Sequence, residues 1–370
     1  MSKRIELDAP NVSDNEKEYL DNCINSGFVS TFGPFVSEFE DKFARFIGAP
    51  KAVSTQSGTT ALHMALYELG IGKGDEVIVP ALTFVATVNP VMYVGATPVV
   101  VDVDSRTWNI DPGRIEKHIS EKTKAIIPVH LYGNPCDMEA ILNIARRHSL
   151  YVIEDATESL GARYKENYTG TLGDFGCFSF NGNKVITTGG GGMIVGKDEK
   201  RLEHIKFLSN QARGELDGAY YHPEVGFNYR MTNIEAALGL AQLDKLDVFL
   251  AKKRRFHAIY TEELKECGDI RFQKPYAEAE GLYWLTCVVF GADVDILSLQ
   301  KSLKEKGVAT RRIFMPIVEF PPYRGFRRDD YRNSYEIYEK GLCLPGSTLN
   351  SEDDIRYVCR VITELIQKRR

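Results

Sequence analysis

Between about residues 51 and 200, short apolar runs alternate along the chain with segments whose hydrophobic positions fall on one helical face. The apolar runs do not alternate strictly with polar residues, which is typical of strands in a parallel sheet that helices cover on both faces. The pattern predicts strands near residues 52–55, 76–79, 98–102, 125–129 and 150–154 and helices over residues 60–69, 85–93 and 138–148. We therefore predict an α/β fold around a mostly parallel central sheet.

The pattern changes after about Asn233. It then predicts two long amphipathic helices, a strand within a mixed segment and two further helices, at residues 234–246, 248–264, 285–290, 296–306 and 352–367. Because 370 residues exceed the roughly 250–300 at which a single hydrophobic core stops growing, we expect two domains. We place a large domain, which includes the N-terminal segment, at residues 1–245 and a smaller α+β domain at residues 246–370.

The composition, 43% hydrophobic and 26% charged, is that of an ordinary soluble globular protein. A formal net charge of −5 gives no electrostatic reason to expect a nucleic acid or a membrane as partner. The short basic clusters Lys252–Arg255 and Lys368–Arg370 are interpreted as solvated helix faces. The seven scattered cysteines lack metal-ligand spacing, so we expect no metal site. Residues 1–8 lack the apolar core of a signal peptide, so we expect a cytoplasmic protein.

Parallel sheets bind their ligands beyond the carboxyl ends of their strands. Three predicted loops, residues 56–60, 154–159 and 179–184, leave strands at that edge. We therefore expect these loops to lie close together and to carry the chemistry.

In the third loop, Ser179 ends a strand, Lys184 follows five residues later, and Gly189–Gly192 come next. A lysine that forms a Schiff base needs a desolvated pocket in which its free amine is populated. The serine hydroxyl can bind a phosphate, and consecutive glycines let the backbone pass close to a bound ring. The residues alone also allow a surface lysine and a tight strand connection. The order of lysine and glycines excludes a Walker loop.

In the second loop, Asp155 ends an apolar strand, where a buried acid is costly unless it meets a cation. The protonated nitrogen of a pyridine ring is such a partner, and Glu158, one turn later, is then expected at the far edge of that ring. The alternative for Asp155 is an N-cap for a following helix.

In the first loop, Gln56–Thr60 offers hydroxyls and backbone amides at the start of a helix, which together form a phosphate cradle. Phe84 follows the second strand and offers a ring for stacking. The alternatives are a turn that binds nothing and a phenylalanine that packs in the core.

Taken together and in this order, these features resemble the DegT/DnrJ/StrS family of nucleotide-sugar aminotransferases, a branch of the aspartate aminotransferase fold. The resemblance runs from Gly27–Ser30 through Gly226–Asn233 to Leu344–Pro345, and it is most specific in Ser179–Gly192 combined with Glu154–Ala156. It implies the type I fold of enzymes that use pyridoxal 5'-phosphate and assigns the cofactor to the large domain.

The resemblance implies that Lys184 binds the cofactor as a Schiff base and moves the proton during transamination. It implies that Asp155 pairs with the ring nitrogen and that Phe84 stacks on the ring. The phosphate contacts that it implies are Gly58, Thr59, Thr60 and Ser179, together with Asn228 from the neighbouring subunit of a homodimer.

The resemblance also implies a nucleotide-linked keto sugar and L-glutamate as substrates, in bacterial surface glycan biosynthesis. The candidate substrate-binding residues are Ser30, Arg213, Arg230, Thr310 and Arg311, with a structural ion pair as the alternative for Arg230. Residues 181–188 and 209–213 look most like enzymes that aminate UDP-4-keto-6-deoxy-N-acetylhexosamine at carbon 4. Residues 227–233 support the alternative of a GDP-perosamine synthase.

Two positions depart from the commonest family pattern. Glu158 stands where many members have Gln or His beside the phenolic oxygen of the ring, and an ionised carboxylate would repel that oxygen. Glu158 is therefore either protonated or acts through Lys184. The run after Arg311 lacks the His that related members often carry. A non-catalytic sensor on the same fold is the alternative from another class, although the retained Lys184 and Asp155 argue against it.

Overall fold

The computed structural model of the chain describes residues 4–367. The predicted basic cluster Lys368–Arg370 and the first three residues of the segment without a signal peptide lie outside the described residues. The strands are β1 (Ala52–Thr55), β2 (Glu76–Pro80), β3 (Thr97–Val101), β4 (Thr123–Ile126), β5 (Tyr151–Asp155), β6 (Arg163–Tyr164), β7 (Asn167–Tyr168), β8 (Phe175–Ser179), β9 (Gly192–Gly196), β10 (Gly214–Leu216), β11 (Ala219–Tyr221), β12 (Ile270–Phe272), β13 (Ala279–Glu280), β14 (Cys287–Phe290), β15 (Arg311–Arg312) and β16 (Gly341–Cys343).

The helices are α1 (Asp14–Ser26), α2 (Pro34–Ile47), α3 (Gly58–Glu68), α4 (Val85–Tyr93), α5 (Pro112–Ile115), α6 (Met138–His148), α7 (Glu199–Ser209), α8 (Asn233–Leu243), α9 (Leu246–Glu263), α10 (Ile296–Glu305), α11 (Arg332–Lys340) and α12 (Glu352–Gln367). Helices α4, α6 and α12 have the predicted bounds. Helix α8 begins one residue early because Thr232 and Glu235 form a capping box, each side chain accepting the other's backbone N–H. Among residues 4–367, no helix combines the length and the apolarity needed to cross a membrane.

The large sheet has the strand order β1-β9-β8-β5-β4-β2-β3 within the described residues. The pairs from β8 through β3 are parallel, whereas β9 runs antiparallel to both of its neighbours. The predicted mostly parallel sheet is confirmed. The hydrophobic pattern does not predict β9, which the chain reaches through a reversal at Gly189 and Gly191. Their φ angles of 87° and 108° lie in the region that favours glycine.

Strand β2 shows why the apolar runs are continuous. Val77 and Val79 pack into the core beneath α3, α4 and α7, while Ile78 packs into the core beneath α6 on the other face. All three side chains are fully buried. Burying a side chain of this size stabilises the fold by about 1.5–3 kcal/mol, so both faces of the sheet favour apolar residues.

A second, antiparallel sheet has the order β12-β14-β16-β15. Helices α9, α10 and α12 pack on it around a separate core. Ile5 belongs to that core and pairs with Val308 in a parallel bridge. Ile5, which we place in the large domain from the sequence, therefore packs on the small sheet.

Packing also crosses the predicted boundary in the other direction. Ile317, Val318 and Tyr323 pack into a core of the large sheet, although they follow residue 246 in the chain. Helix α9 begins at Leu246. The division into residues 1–245 and 246–370 stays a prediction, because chain segments on either side of it share cores.

Candidate active site

A cavity of about 220 Å³ lies at the carboxyl edge of the large sheet, where β1, β5 and β8 end. It is lined by Ser57, Gly58, Thr59, Phe84, Ala86, Thr157, Glu158, Ser179, Asn181, Asn183, Lys184, Trp284, Arg311 and Phe314. The predicted loops 56–60, 154–159 and 179–184 all contribute to this wall. The structure therefore brings them together at one edge of the sheet, as expected from the direction of the parallel strands.

One end of the cavity is built around the N-terminus of α3. Ser57 is the N-cap residue, and its hydroxyl accepts the backbone N–H of Thr60 at 3.1 Å. Gly58, Thr59 and Ser179 line the wall beside it. A Cβ atom added to Gly58 would come within 2.8 Å of Thr157 Cγ2 and 3.0 Å of Ser179 Cβ. Only glycine fits there, and the free amides and hydroxyls of a helix start suit an anion such as phosphate.

Asp155 lies at the end of β5 and is 3% exposed. Its Oδ1 accepts the backbone N–H and the hydroxyl of Thr157, and its Oδ2 accepts the Thr87 hydroxyl at 2.7 Å. These bonds fix the orientation of the carboxylate. Residues 156–162, directly after Asp155, form turns and no helix, so the alternative of a helix cap is wrong.

Glu158 and Lys184 form an ion pair across the cavity, with Lys184 Nζ at 3.4 Å from Glu158 Oε1. The other oxygen of Glu158 accepts the backbone N–H of Tyr132 at 2.8 Å. Burial raises the pKa of the Glu158 carboxyl, although the Lys184 charge and the Tyr132 N–H act in the opposite direction. The contact of Glu158 with Lys184 is therefore present, and its predicted role beside the cofactor stays a prediction.

Aromatic side chains close the cavity on the side of the small sheet. Trp284 places its ring centroid 4.1 Å from Lys184 Nζ, and its indole N–H donates to the Asn183 carbonyl at 2.7 Å. Phe314 lies 5.7 Å from Phe84, ring centroid to centroid. Phe84 itself is 54% exposed, so the alternative of core packing is wrong for this residue.

Trp284, Phe314 and Tyr132 are not predicted from the sequence. The Tyr132 ring stacks on Trp284 at a centroid distance of 6.2 Å and on Phe314 at 5.2 Å. Trp284 is 101 positions from the Asn183 carbonyl that it binds. The only local signal is that the chain has two tryptophans, one of which stands in an irregular segment.

Arg311 is held at the cavity wall by the N-terminal segment. Its Nη1 donates to Asp8 Oδ2 at 3.1 Å, and the same oxygen accepts the Asn183 side-chain amide at 3.3 Å. The Nε and Nη2 atoms of Arg311 are buried and have no hydrogen-bond partner among the described residues. Buried donors without partners are costly, so these two groups favour an anionic or carbonyl-rich ligand in the cavity.

Several predicted site residues do not line this cavity. Thr60 belongs to the cap of α3. Thr310 precedes Arg311, and its hydroxyl is buried without a hydrogen-bond partner among the described residues. Ser30 is exposed, and its carbonyl accepts the backbone N–H of Asn233. Asp155 does not line the cavity itself but is bonded to Thr157, which does. The remaining three are Asn228, Arg213 and Arg230. Asn228 is exposed and bridges to Asn210, and Arg213 lies 4.7 Å from the Tyr220 ring. Burial lowers the pKa of Arg230, whose Nε is buried without a partner. Their predicted contacts with cofactor or substrate stay predictions.

The cavity fits the cofactor that the resemblance implies. Gly58, Thr59 and Ser179 provide a narrow cradle for its phosphate, and Phe84 and Asp155 provide a ring face and a buried carboxylate for its pyridine. A primary amine faces the same space. Within residues 4–367 no cluster of three His, Cys, Asp or Glu side chains is suited to a metal ion.

The sequence profile of the DegT/DnrJ/EryC1/StrS aminotransferase family matches residues 10–363. The GDP-perosamine synthase of Caulobacter vibrioides is 43% identical over 98% of this chain and 98% of its own. The GDP-perosamine synthase of Escherichia coli O157:H7 is 39% identical, again over 98% of both chains. Among solved structures, the PLP form of Spr1654 from Streptococcus pneumoniae superposes with a TM-score of 0.95 at 26% identity, over 100% of both chains.

Proposed function

This chain belongs to the DegT/DnrJ/EryC1/StrS aminotransferase family and is a pyridoxal-phosphate-dependent sugar aminotransferase, and on that premise we propose that it aminates carbon 4 of a nucleotide-linked 4-keto-6-deoxy sugar. The observation that carries this proposal is the convergence of Lys184, Glu158 and Arg311 on one cavity beside a cradle for phosphate. We take L-glutamate as the amino donor.

When bound, pyridoxal phosphate supplies an aldehyde that reacts with primary amines and a ring that accepts electrons. Lys184 is the only primary amine among the described residues that line the cavity. Its Nζ would therefore hold the cofactor and, once free, would move the proton in each half of the reaction. Asp155, with its carboxylate oriented by Thr87 and Thr157, keeps a proton on the ring nitrogen.

Glu158 acts at the other edge of the ring. Burial raises the pKa of this carboxyl, which favours the protonated form. A protonated carboxyl donates a hydrogen bond to a phenolic oxygen, whereas a carboxylate repels it. When Lys184 carries a charge, Glu158 instead holds it as an ion pair at 3.4 Å.

Two sugar nucleotides are candidates for the acceptor. The two GDP-perosamine synthases among the relatives favour GDP-4-keto-6-deoxymannose. The residue strings 181–188 and 209–213 favour UDP-4-keto-6-deoxy-N-acetylhexosamine. Both substrates carry a diphosphate, and the unpartnered Nε and Nη2 of Arg311 suit such an anion. Either product serves bacterial surface glycan biosynthesis.

We propose a homodimer in which Asn228 reaches the cofactor phosphate of the neighbouring subunit. Phe28 and Phe32 are 39% and 75% exposed, and their ring centroids lie 6.0 Å apart. Together with Pro34 and Val36 they line an apolar hollow, and a contiguous exposed patch of this kind marks an interaction surface. The seven cysteines are all free, which suits the reducing cytoplasm that we propose as the location.

The first test concerns the cofactor. The purified protein is expected to absorb in the violet and to carry a covalent cofactor adduct on Lys184, detected by mass spectrometry after borohydride reduction. The Lys184→Ala variant is expected to lose the adduct and at least a thousandfold of activity, because nothing else on the wall provides a primary amine. A colourless protein without an adduct would refute the aminotransferase.

The second test concerns the substrate. The enzyme is incubated with L-glutamate and UDP-, GDP- and dTDP-linked 4-keto-6-deoxy sugars, and amine formation is followed by mass spectrometry. Amination of one nucleotide sugar alone identifies the acceptor, and equal turnover of all three rejects any nucleotide assignment. If the cofactor is bound but no sugar is aminated, the non-catalytic sensor replaces the enzyme.

A further inference from the structure

Trp284 reaches the reactive lysine from the small-sheet side of the cavity. We propose that Trp284 is a positioning residue for Lys184, an inference that rests on the proposed aminotransferase function. The ring face lies 4.1 Å from Lys184 Nζ, within the range of a cation–π interaction. The indole N–H donates to the Asn183 carbonyl, one residue before the lysine, at 2.7 Å. One side chain thus contacts both the backbone that carries Lys184 and the amine at its end.

The indole is itself held in place. Trp284 is 2% exposed, and its carbonyl accepts a hydrogen bond from Lys253 Nζ at 2.9 Å. Lys253 also donates to the Gly346 carbonyl at 2.8 Å, so it ties the segment of Trp284 to the loop after β16. Tyr132 stacks on the indole with an interplanar angle of 23°. A ring fixed in this way can define the position of a flexible lysine, whose own stem has four rotatable bonds.

The residue before Lys184 is gripped from two directions. Trp284 holds the carbonyl of Asn183, and Asp8 Oδ2 accepts its side-chain amide at 3.3 Å. The backbone entering Lys184 is therefore anchored on both sides. The amine needs such an anchor when it is not attached to the cofactor, because it must return to the same place in every cycle.

The charges that face Lys184 have opposing effects. Glu158 lies at 3.4 Å and favours the ammonium, with Asp155 adding negative charge behind it. Arg311 lines the same cavity, and Asp8 and Lys253 share with Lys184 a second polar space of about 10 Å³. Arg311 opposes the ammonium, as does Lys253 in its charged form, and the acids favour it. The Trp284 ring adds an attraction for the ammonium that does not itself titrate.

The experiment compares two variants of Trp284 with a control at the other tryptophan. Trp284→Leu removes the ring face, and Trp284→Phe keeps a ring but removes the indole N–H. Trp108→Phe is the matched control, because Trp108 is equally buried at 2% exposure but does not line the cavity. The rate of the cofactor absorbance change with L-glutamate is measured over a range of pH, together with the melting temperature.

We expect the acid limb of the rate profile of Trp284→Leu to move to lower pH by roughly one unit, a tenfold change in proton affinity. Trp284→Phe is expected to shift the limb less and to lower the limiting rate about fivefold, since the Asn183 carbonyl loses its donor. Trp108→Phe is expected to lower the melting temperature without moving the profile, because its ring has no contact with the lysine.

A Trp284→Leu profile that superimposes on the wild type, or an equal shift in Trp108→Phe, overturns the inference. If Trp284→Leu does not fold, Trp284→Phe decides the question, and a limiting rate equal to that of Trp108→Phe counts against it. Borohydride reduction distinguishes a failure of the proposed function from a failure of the proposed role of Trp284. No adduct on wild-type Lys184 removes the proposed function itself, whereas an intact adduct with unmoved profiles removes only the role of Trp284.

Discussion

At the scale of single residues, the protonation of Glu158 decides whether this carboxyl supports a phenolic oxygen or an ammonium group. Burial raises the pKa of Glu158 above its ordinary value of 4.5, and the charge of Lys184 opposes that rise. The protonated carboxyl can donate a hydrogen bond to the phenolic oxygen, and the carboxylate can pair with Lys184. The protonation state of Glu158 therefore determines which of the two partners it binds.

Glu158→Gln is expected to keep activity within about tenfold of the wild type, because a neutral amide donates a hydrogen bond as the protonated carboxyl does. The variant is also informative about stability. The folded wild type retains the Glu158 proton to higher pH than the unfolded chain, so its stability relative to the variant falls as pH rises above about 4.5. Denaturant unfolding over a pH series measures this difference, with the exposed Glu305→Gln as control. A difference that does not change with pH would contradict the raised pKa.

Gly58→Ala is expected to weaken cofactor binding at least tenfold while α3 still forms, since the new Cβ would crowd Thr157 and Ser179 at 2.8 and 3.0 Å. Absorbance titration of the cofactor-free protein gives the dissociation constant. Gly182→Ala is the matched control, because a Cβ there meets no atom within 4 Å. Equal affinity of the two variants would show that Gly58 is not part of the phosphate cradle.

Lys184 and Asp155 could be predicted from the sequence because the signals that identify them are local. Asp155 ends an apolar strand, and Lys184 follows the end of another by five residues, just before a run of four glycines. Trp284, Tyr132 and Phe314 could not be predicted in this way. Trp284 and Phe314 reach the cavity from the small-sheet part of the chain, and Tyr132, which stacks on both, precedes Trp284 by more than 100 positions. The packing of the two sheets, not a motif, brings these three rings together.

At the scale of elements, helix α9 carries a buried charge into the small-sheet side of the site. Burial lowers the pKa of Lys253 from 10.5 to about 7, and Asp8 opposes the shift. The Lys253 amine donates hydrogen bonds to the carbonyls of Trp284 and Gly346. Carbonyls carry no formal charge, so they do not neutralise an ammonium group. A neutral or charged Lys253 can make the same two hydrogen bonds, so α9 stays docked in either state.

Lys253→Met isolates the energetic effect of that amine. The unfolded chain binds the Lys253 proton up to about pH 10.5 and the folded chain only to about pH 7, so stability rises with pH between these values. Within this window the free energy of unfolding of the wild type is expected to rise, relative to that of Lys253→Met, by about 1.4 kcal/mol per pH unit. Denaturant unfolding measures the gain, with the exposed Lys304→Met as control. A constant difference between wild type and Lys253→Met would show that Lys253 keeps its ordinary proton affinity.

Strands β1 to β5 of the large sheet could be predicted because their apolar runs are continuous, as Val77, Ile78 and Val79 show for β2. Helices α1, α2, α5, α7 and α11 are not predicted. Strand β9 could not, because its direction depends on a reversal at Gly189 and Gly191 that the apolar pattern does not encode. The start of α8 was misplaced by one residue for a local reason, the capping box of Thr232 and Glu235.

At the scale of the whole molecule, the exposed apolar hollow around Phe32 is expected to be a subunit interface. Phe32→Glu places a charge where the side chain is 75% exposed in the single chain, and it is expected to yield monomers in analytical ultracentrifugation. Cofactor affinity is expected to fall with it, because Asn228 of the partner subunit would be lost. Val248→Glu, on another exposed apolar side chain, is the control. A dimer that survives Phe32→Glu would place the interface elsewhere.

The expectation of two domains follows from chain length alone, and length does not predict which segments pack with the other domain. Ile5 precedes the boundary but packs with the small sheet, and Ile317 follows it but packs with the large one. Hydrophobic periodicity identifies elements but carries no information on which core receives them. For that reason the sequence places a boundary near residue 246 that the packing of Ile5 and Ile317 crosses.

The contact between Asp8 and Arg311 joins residues 303 positions apart. During translation Asp8 therefore leaves the ribosome long before Arg311 is synthesised. The N-terminal segment can form this contact only after most of the chain has been made. Contacts of such long range form slowly, after local helices. The residues of the phosphate cradle, the last of which is Ser179, leave the ribosome before Arg311, so the arginine is the later of the two to take its place in the site.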